Sequence, residues 1–170
     1  MKHPSLLPLA RAALRALIVL NWLFGAAILV VLIATVVAGP WTLAALGFPP
    51  SMRPMLGVLR AIPMLGLVAI PLNDAILGRP LAIVDTVRSG DPFLPVNAVR
   101  LQAIAWVLLA LQLLGIVIGA IGRAVSTPAH PLHLDAGFST SGWLAVVLTF
   151  VLARVFAEGA LMRQDLEGTV

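Results

Sequence analysis

Side chains capable of chemistry interrupt the long apolar runs of this sequence at Asn21, Arg60, Asn73, Asp74, Gln112 and Arg154. A polar or ionised group inside an apolar span is costly to hold, so each is a candidate for an ion or proton path. Each is equally a candidate for a hydrogen bond or ion pair that ties helices together. Counted from the outer end of each run, Arg60 and Gln112 fall in the outer third, and Asn21, Asp74 and Arg154 in the inner third. The expectation is two polar layers, Arg60 with Gln112 in one and Asp74 paired to Arg154 in the other. No carboxylate falls at the middle of a run, which favours helix cohesion over a proton path. A second constellation is His130, His133 and Asp135 in AHPLHLD, residue types that ligate metals. Pro131 works against a helix that would place both imidazoles on one face, and a fourth ligand is not evident. The expectation there is a loop that holds two histidines, with no metal site.

Other chemistry is excluded more simply. Cysteine is absent, which removes thiol–disulfide relays, Cys-based metal sites and palmitoylation. The sequence holds no nucleophile motif, phosphate loop, HExxH or paired-carboxylate constellation. Neither an enzyme nor a cofactor is expected.

The elements that must position these residues are membrane helices. The 170 residues are 61% hydrophobic and 11% charged, with a mean hydropathy of +1.06; a soluble domain carries about 25% charged residues. The expected fold class is all-α, a single membrane domain over residues 1–170 built as a bundle of four transmembrane helices. The spans are read at about 16–37, 55–77, 99–121 and 142–163, with outer loops 38–54 and 122–141 and an inner loop 78–98. The first run is too long for the apolar region of a signal peptide, about 7–15 residues. The second carries Pro63 and Pro71 and should be bent and packed inward, because each proline frees a carbonyl that neighbours must satisfy. Gly115-Ile-Val-Ile-Gly119 in the third is a small-xxx-small pattern suited to close helix contact, within the chain or with a second copy.

Basic residues set the orientation. With the N-terminus inside, Lys2, Arg11, Arg15, Arg79, Arg88, Arg100, Arg154 and Arg163 fall on the inner side, against Arg53, Arg60 and Arg123 on the outer. Both termini are therefore expected in the cytoplasm of a bacterial inner membrane, with Trp41 and Trp143 as outer aromatic anchors. The net charge of +4 is scattered singly at the ends of apolar runs, so direct nucleic-acid binding is not expected.

The densest punctuation lies on the inner side, between Leu81 and Trp106. Pro80 suits the first turn of a short interfacial helix ending near Arg88, Gly90 lies just past it, Asp91-Pro92 reverses the chain, and Pro95 opens the next helix. Glu158, Asp165 and Glu167 then balance Arg154 and Arg163 along the last helix and tail. Candidate docking residues for a partner are Asp85, Arg88, Asp91, Phe93, Asn97 and Arg100 in this stretch, with Asp165 and Glu167 in the tail. The competing reading is a well-built turn and nothing more.

Two stretches together carry a resemblance. Gly90-Asp91-Pro92-Phe93, Asn97, Arg100-Leu101, Ile104 and Trp106 form one. Leu152-Ala153-Arg154-Val155-Phe156, Glu158-Gly159-Ala160 and Asp165 to Val170 form the other. Over residues 55–170 the chain resembles the bacterial DUF2975 family, four-span membrane proteins of unknown function. This sequence has Val96 and Val99 where members of that family often carry a carboxylate and a second arginine, which makes its loop less polar. The resemblance implies a membrane-linked regulatory role, with a cytosolic helix-turn-helix regulator as candidate partner, and supplies no catalytic residue. The expected function is a non-enzymatic multi-pass membrane protein that binds a partner through its inner loop and tail; the alternative is a small oligomeric transporter or channel.

Overall fold

A computed structural model describes residues 6–45, 47, 56–88, 93–126 and 137–167. Every regular element among them is helical: α1 Leu6–Val37, α2 Gly39–Ala45, α3 Leu56–Arg88, α4 Pro95–Val125 and α5 Thr140–Glu167. Four stretches are long and apolar enough to cross a membrane: Pro8–Val37, Arg60–Thr86, Pro95–Ala124 and Thr140–Asp165. Large apolar side chains point outward along them, Trp22, Phe24, Val37, Leu144, Val147 and Met162 among those more than half exposed. Water would penalise so continuous an apolar surface, whereas lipid tails match it. The chain has the length, composition and surface of a multi-pass membrane protein.

The helices outrun the spans read from hydropathy, and one expectation is corrected. Leu81–Arg88 is not a separate interfacial helix but the last turns of α3, which continues through Pro80. Proline removes one backbone donor, so the Ile76 carbonyl loses its partner one turn on. Arg79 Nη1 donates to the neighbouring Ala75 carbonyl at 3.0 Å. At the other end of the chain, α1 starts ahead of the apolar run, because Pro8 falls in its first turn, where no N–H is needed. Between α1 and α3 lies α2, with Pro40 near its start and Gly47 beyond its end at a φ of 78°. That left-handed conformation is open to glycine at little cost. Pro95 is the first residue of α4, as expected.

The chain forms two compact units, one from Met1–Leu20, Leu72–Ala110 and Ser139–Val170, the other from Asn21–Pro71 and Leu111–Phe138. In the second unit α1 and α3 approach closely where Gly25 faces Ile70; a Cβ on Gly25 would lie 3.0 Å from Ile70 Cγ1. Asn21 Nδ2 donates to the Ile70 carbonyl at 3.0 Å, so the same crossing is both packed and hydrogen-bonded. The end of α1 leaves carbonyls without intrahelical donors. Arg60 donates to that of Thr35, while the carbonyls of Ala34 and Ala38, which accept the N–H groups of Ala38 and Thr42 at 2.9 and 2.8 Å, also accept from Thr42 Oγ1 at 2.9 and 3.0 Å. A Cβ on Gly115 would lie 3.7 Å from the Gly137 carbonyl oxygen, so the small-xxx-small stretch faces another part of the same chain.

The first unit has its core at Leu101, Ile104 and Ala153, with Ile76, Ile83, Leu108 and Phe156 packed around them. Trp106 and Phe150 meet edge to face at 5.2 Å, joining α4 to α5. Ser139 caps α5, its Oγ accepting from the Gly142 N–H at 3.1 Å.

Candidate functional site

The first unit gathers the end of α3, the start of α4 and the C-terminal helix α5 at one place. Asn97 is central to it. Placed in the first turn of α4 by Pro95, Asn97 is fully buried, with no exposed surface. A buried amide must have its donors and acceptor met. Its Nδ2 donates to Thr86 Oγ1 at 2.7 Å, and its Oδ1 accepts from Arg100 Nη1 at 3.0 Å. Its backbone N–H donates to the Leu94 carbonyl at 2.9 Å. Thr86 in turn donates to the Ile83 carbonyl, and Arg100 Nη1 also reaches the Ala82 carbonyl at 3.2 Å. The end of α3 is thus fastened to the start of α4 by side chains, on either side of the chain reversal. The sequence suggests Asn97 and Arg100 as docking residues; the Asn97 amide and Arg100 Nη1 hold the end of α3 to the start of α4.

Phe93 closes the other side. Its ring lies 5.5 Å from that of Phe156, tilted by 39°, and sits over Gly159, where a Cβ would come within 2.9 Å of Phe93 Cδ1. Glycine costs a helix about 1 kcal/mol relative to alanine; here its missing side chain makes room for the aromatic ring. This contact joins the residues just before α4 to α5, far apart in the chain. Phe93 remains 42% exposed, so part of the ring is available on the surface.

The remaining candidates are distributed as follows. Asp85 is on the surface of α3 and pairs with Arg11 of α1 at 2.6 Å. Asp165 is exposed on the last turn of α5. Asp91 lies outside the described residues, as do the side chains of Arg88 and Glu167 and the residues His130 and His133. Arg154 pairs along its own helix with Glu158, Nε to Oε1 at 2.7 Å, rather than with Asp74. Arg60 is engaged by the Thr35 carbonyl and not by Gln112. Both pairings differ from expectation for the same reason: a nearby acceptor on the same or the next helix is reached without ordering a distant partner.

Between α4 and α5 runs a half-open groove of about 520 Å³. Ala98, Ala153, Ala157 and Ala160 keep its floor shallow, and Gln102, Arg154 and Gln164 bring polar groups to it.

No family model, no curated protein and no solved structure matches this chain. What the site does is therefore argued from its geometry. Thr86, Phe156, Gly159 and Arg11 do not stand out as site residues in the sequence. One signal points to Gly159: a glycine inside a helix, away from its ends, marks close approach by something else.

Proposed function

We propose that the chain is a non-enzymatic multi-pass protein of the bacterial cytoplasmic membrane. Both termini lie in the cytoplasm, and the α3–α4 turn with the end of α5 forms one surface for a cytosolic protein. The observation that carries this is the packing of Phe93 between Phe156 and Gly159. A turn that only had to reverse the chain needs no tie to the C-terminal helix. One that must present residues from both segments in fixed register does, since ordering them beforehand lowers the cost of binding.

The length of α3 supports the placement. Its 33 residues span about 50 Å at 1.5 Å per residue, well beyond a hydrocarbon core of about 30 Å. The last turns, with Asp85, then emerge among headgroups and cytoplasm. The chemistry offered to a partner is mixed: part of the Phe93 ring, with Asp85, paired to Arg11, and the exposed Asp165 on the same unit. The resemblance to the DUF2975 family makes a helix-turn-helix regulator the favoured occupant, because such proteins carry basic surface that acidic groups would meet. A photo-crosslinking residue at position 85, in living cells, tests this. A discrete adduct with a cytosolic protein is expected, lost on Phe93→Ala and on removal of residues 165–170. An adduct unchanged by both alterations would end the docking reading.

A further inference from the structure

Arg154 and Glu158 form an ion pair on the outside of the protein, not within it; the two side chains are 78% and 55% exposed. Arg154 lies about 16 Å along α5 from Trp143, counted at 1.5 Å per residue. With Trp143 at the outer interface, that depth is inside a hydrocarbon core of about 30 Å. Ionised side chains in spans face a protein interior, a water-filled cavity or another polar group. Here the face is open, and the alanine-floored groove between α4 and α5 lies alongside it, with Gln102 on its α4 wall.

We propose that a second copy of this chain covers this face, in a parallel twofold dimer along the α4–α5 groove. Acyl chains offer no hydrogen bond to Gln102 and nothing to the ion pair. A second copy inserted in the same direction brings the same polar groups to the same level. Arg154 and Glu158 lie one helical turn apart, so a twofold axis lets each Arg154 meet the partner's Glu158 while keeping its own. That self-complementarity is what an interface between identical surfaces requires. Ala98, Ala153 and Ala160, buried where α4 meets α5, and Ala157 beside them bring no bulk to the groove, so a neighbouring helix can approach it, as small residues allow at helix contacts in membranes. The proposal does not depend on the cytosolic docking surface, and its readouts are separate from partner capture.

The cysteine-free chain allows a direct test by disulfide cross-linking in native membranes. Ala157→Cys leaves the polar groups intact and is expected to give a cross-linked dimer upon oxidation. Val19→Cys, on the exposed surface of α1, reports random collision and is expected to give little. Native mass spectrometry from mild detergent should show a dimer for the natural sequence, monomer for Arg154→Glu, and dimer again for Arg154→Glu with Glu158→Arg. Absence of the Ala157→Cys dimer, equal cross-linking at both positions, or a monomer carrying bound phospholipid would overturn the proposal. Failure of the double exchange to restore the dimer would count equally against it.

Discussion

Asn97 shows at the scale of a single residue how a polar side chain becomes worth burying. Its amide has a protein partner at each end, and Arg100 depends on its oxygen as one of two acceptors. Asn97→Ala leaves Arg100 with only the Ala82 carbonyl and removes the bond to Thr86. We expect destabilisation of about 1–3 kcal/mol, the cost of a buried polar group losing its partner, read as a lower unfolding midpoint in detergent. Two glycines make a matched pair. A methyl group on Gly78 would meet nothing within 4 Å, while at Gly159 the Phe93 ring intrudes. Alanine is the better helix former by about 1 kcal/mol, so Gly78→Ala should be neutral or stabilising. Gly159→Ala should instead cost about 1–3 kcal/mol, as overpacking does, and most of that cost should vanish in a Phe93→Ala background. Equal effects at the two positions would show that Phe93 does not press on α5.

Elements are held to one another by few but specific contacts. Between α1 and α3 in the second unit, Gly25 admits Ile70 and Asn21 holds the Ile70 carbonyl. Asn21→Leu should therefore cost about 0.6–2 kcal/mol, the range for hydrogen bonds between membrane helices, measured by unfolding in mixed micelles. No change would mean that packing alone fixes this crossing. The same contacts explain what was legible in the sequence. Hydropathy located four spans because their apolar content is a local property, and Pro95 marked a helix start because proline's fixed φ acts locally. Pro80 reads locally as a helix start, but α3 is already in place there and continues through it to Arg88. The polar pairs failed differently. Depth along a span says nothing about rotation around it, so Asp74–Arg154 and Arg60–Gln112 looked matched although each arginine meets a closer acceptor. The Phe93–Gly159 contact joins segments far apart in the chain, and no periodicity could have revealed it.

At the scale of the whole molecule, the proposed account requires that the α3–α4 turn and the end of α5 lie on the cytoplasmic side, with the start of α5 outside. Without that arrangement Phe93 and the acidic groups would meet no cytosolic protein. The absence of cysteine makes single-cysteine labelling clean, and Val96, Thr140 and Asp165 are exposed positions on described helices. The decisive measurement is labelling of Val96→Cys, Thr140→Cys and Asp165→Cys with a membrane-impermeant maleimide, on intact and on permeabilised cells. We expect Thr140→Cys to react in intact cells, and Val96→Cys and Asp165→Cys to react only after permeabilisation. Labelling of Val96→Cys or Asp165→Cys in intact cells would contradict the account.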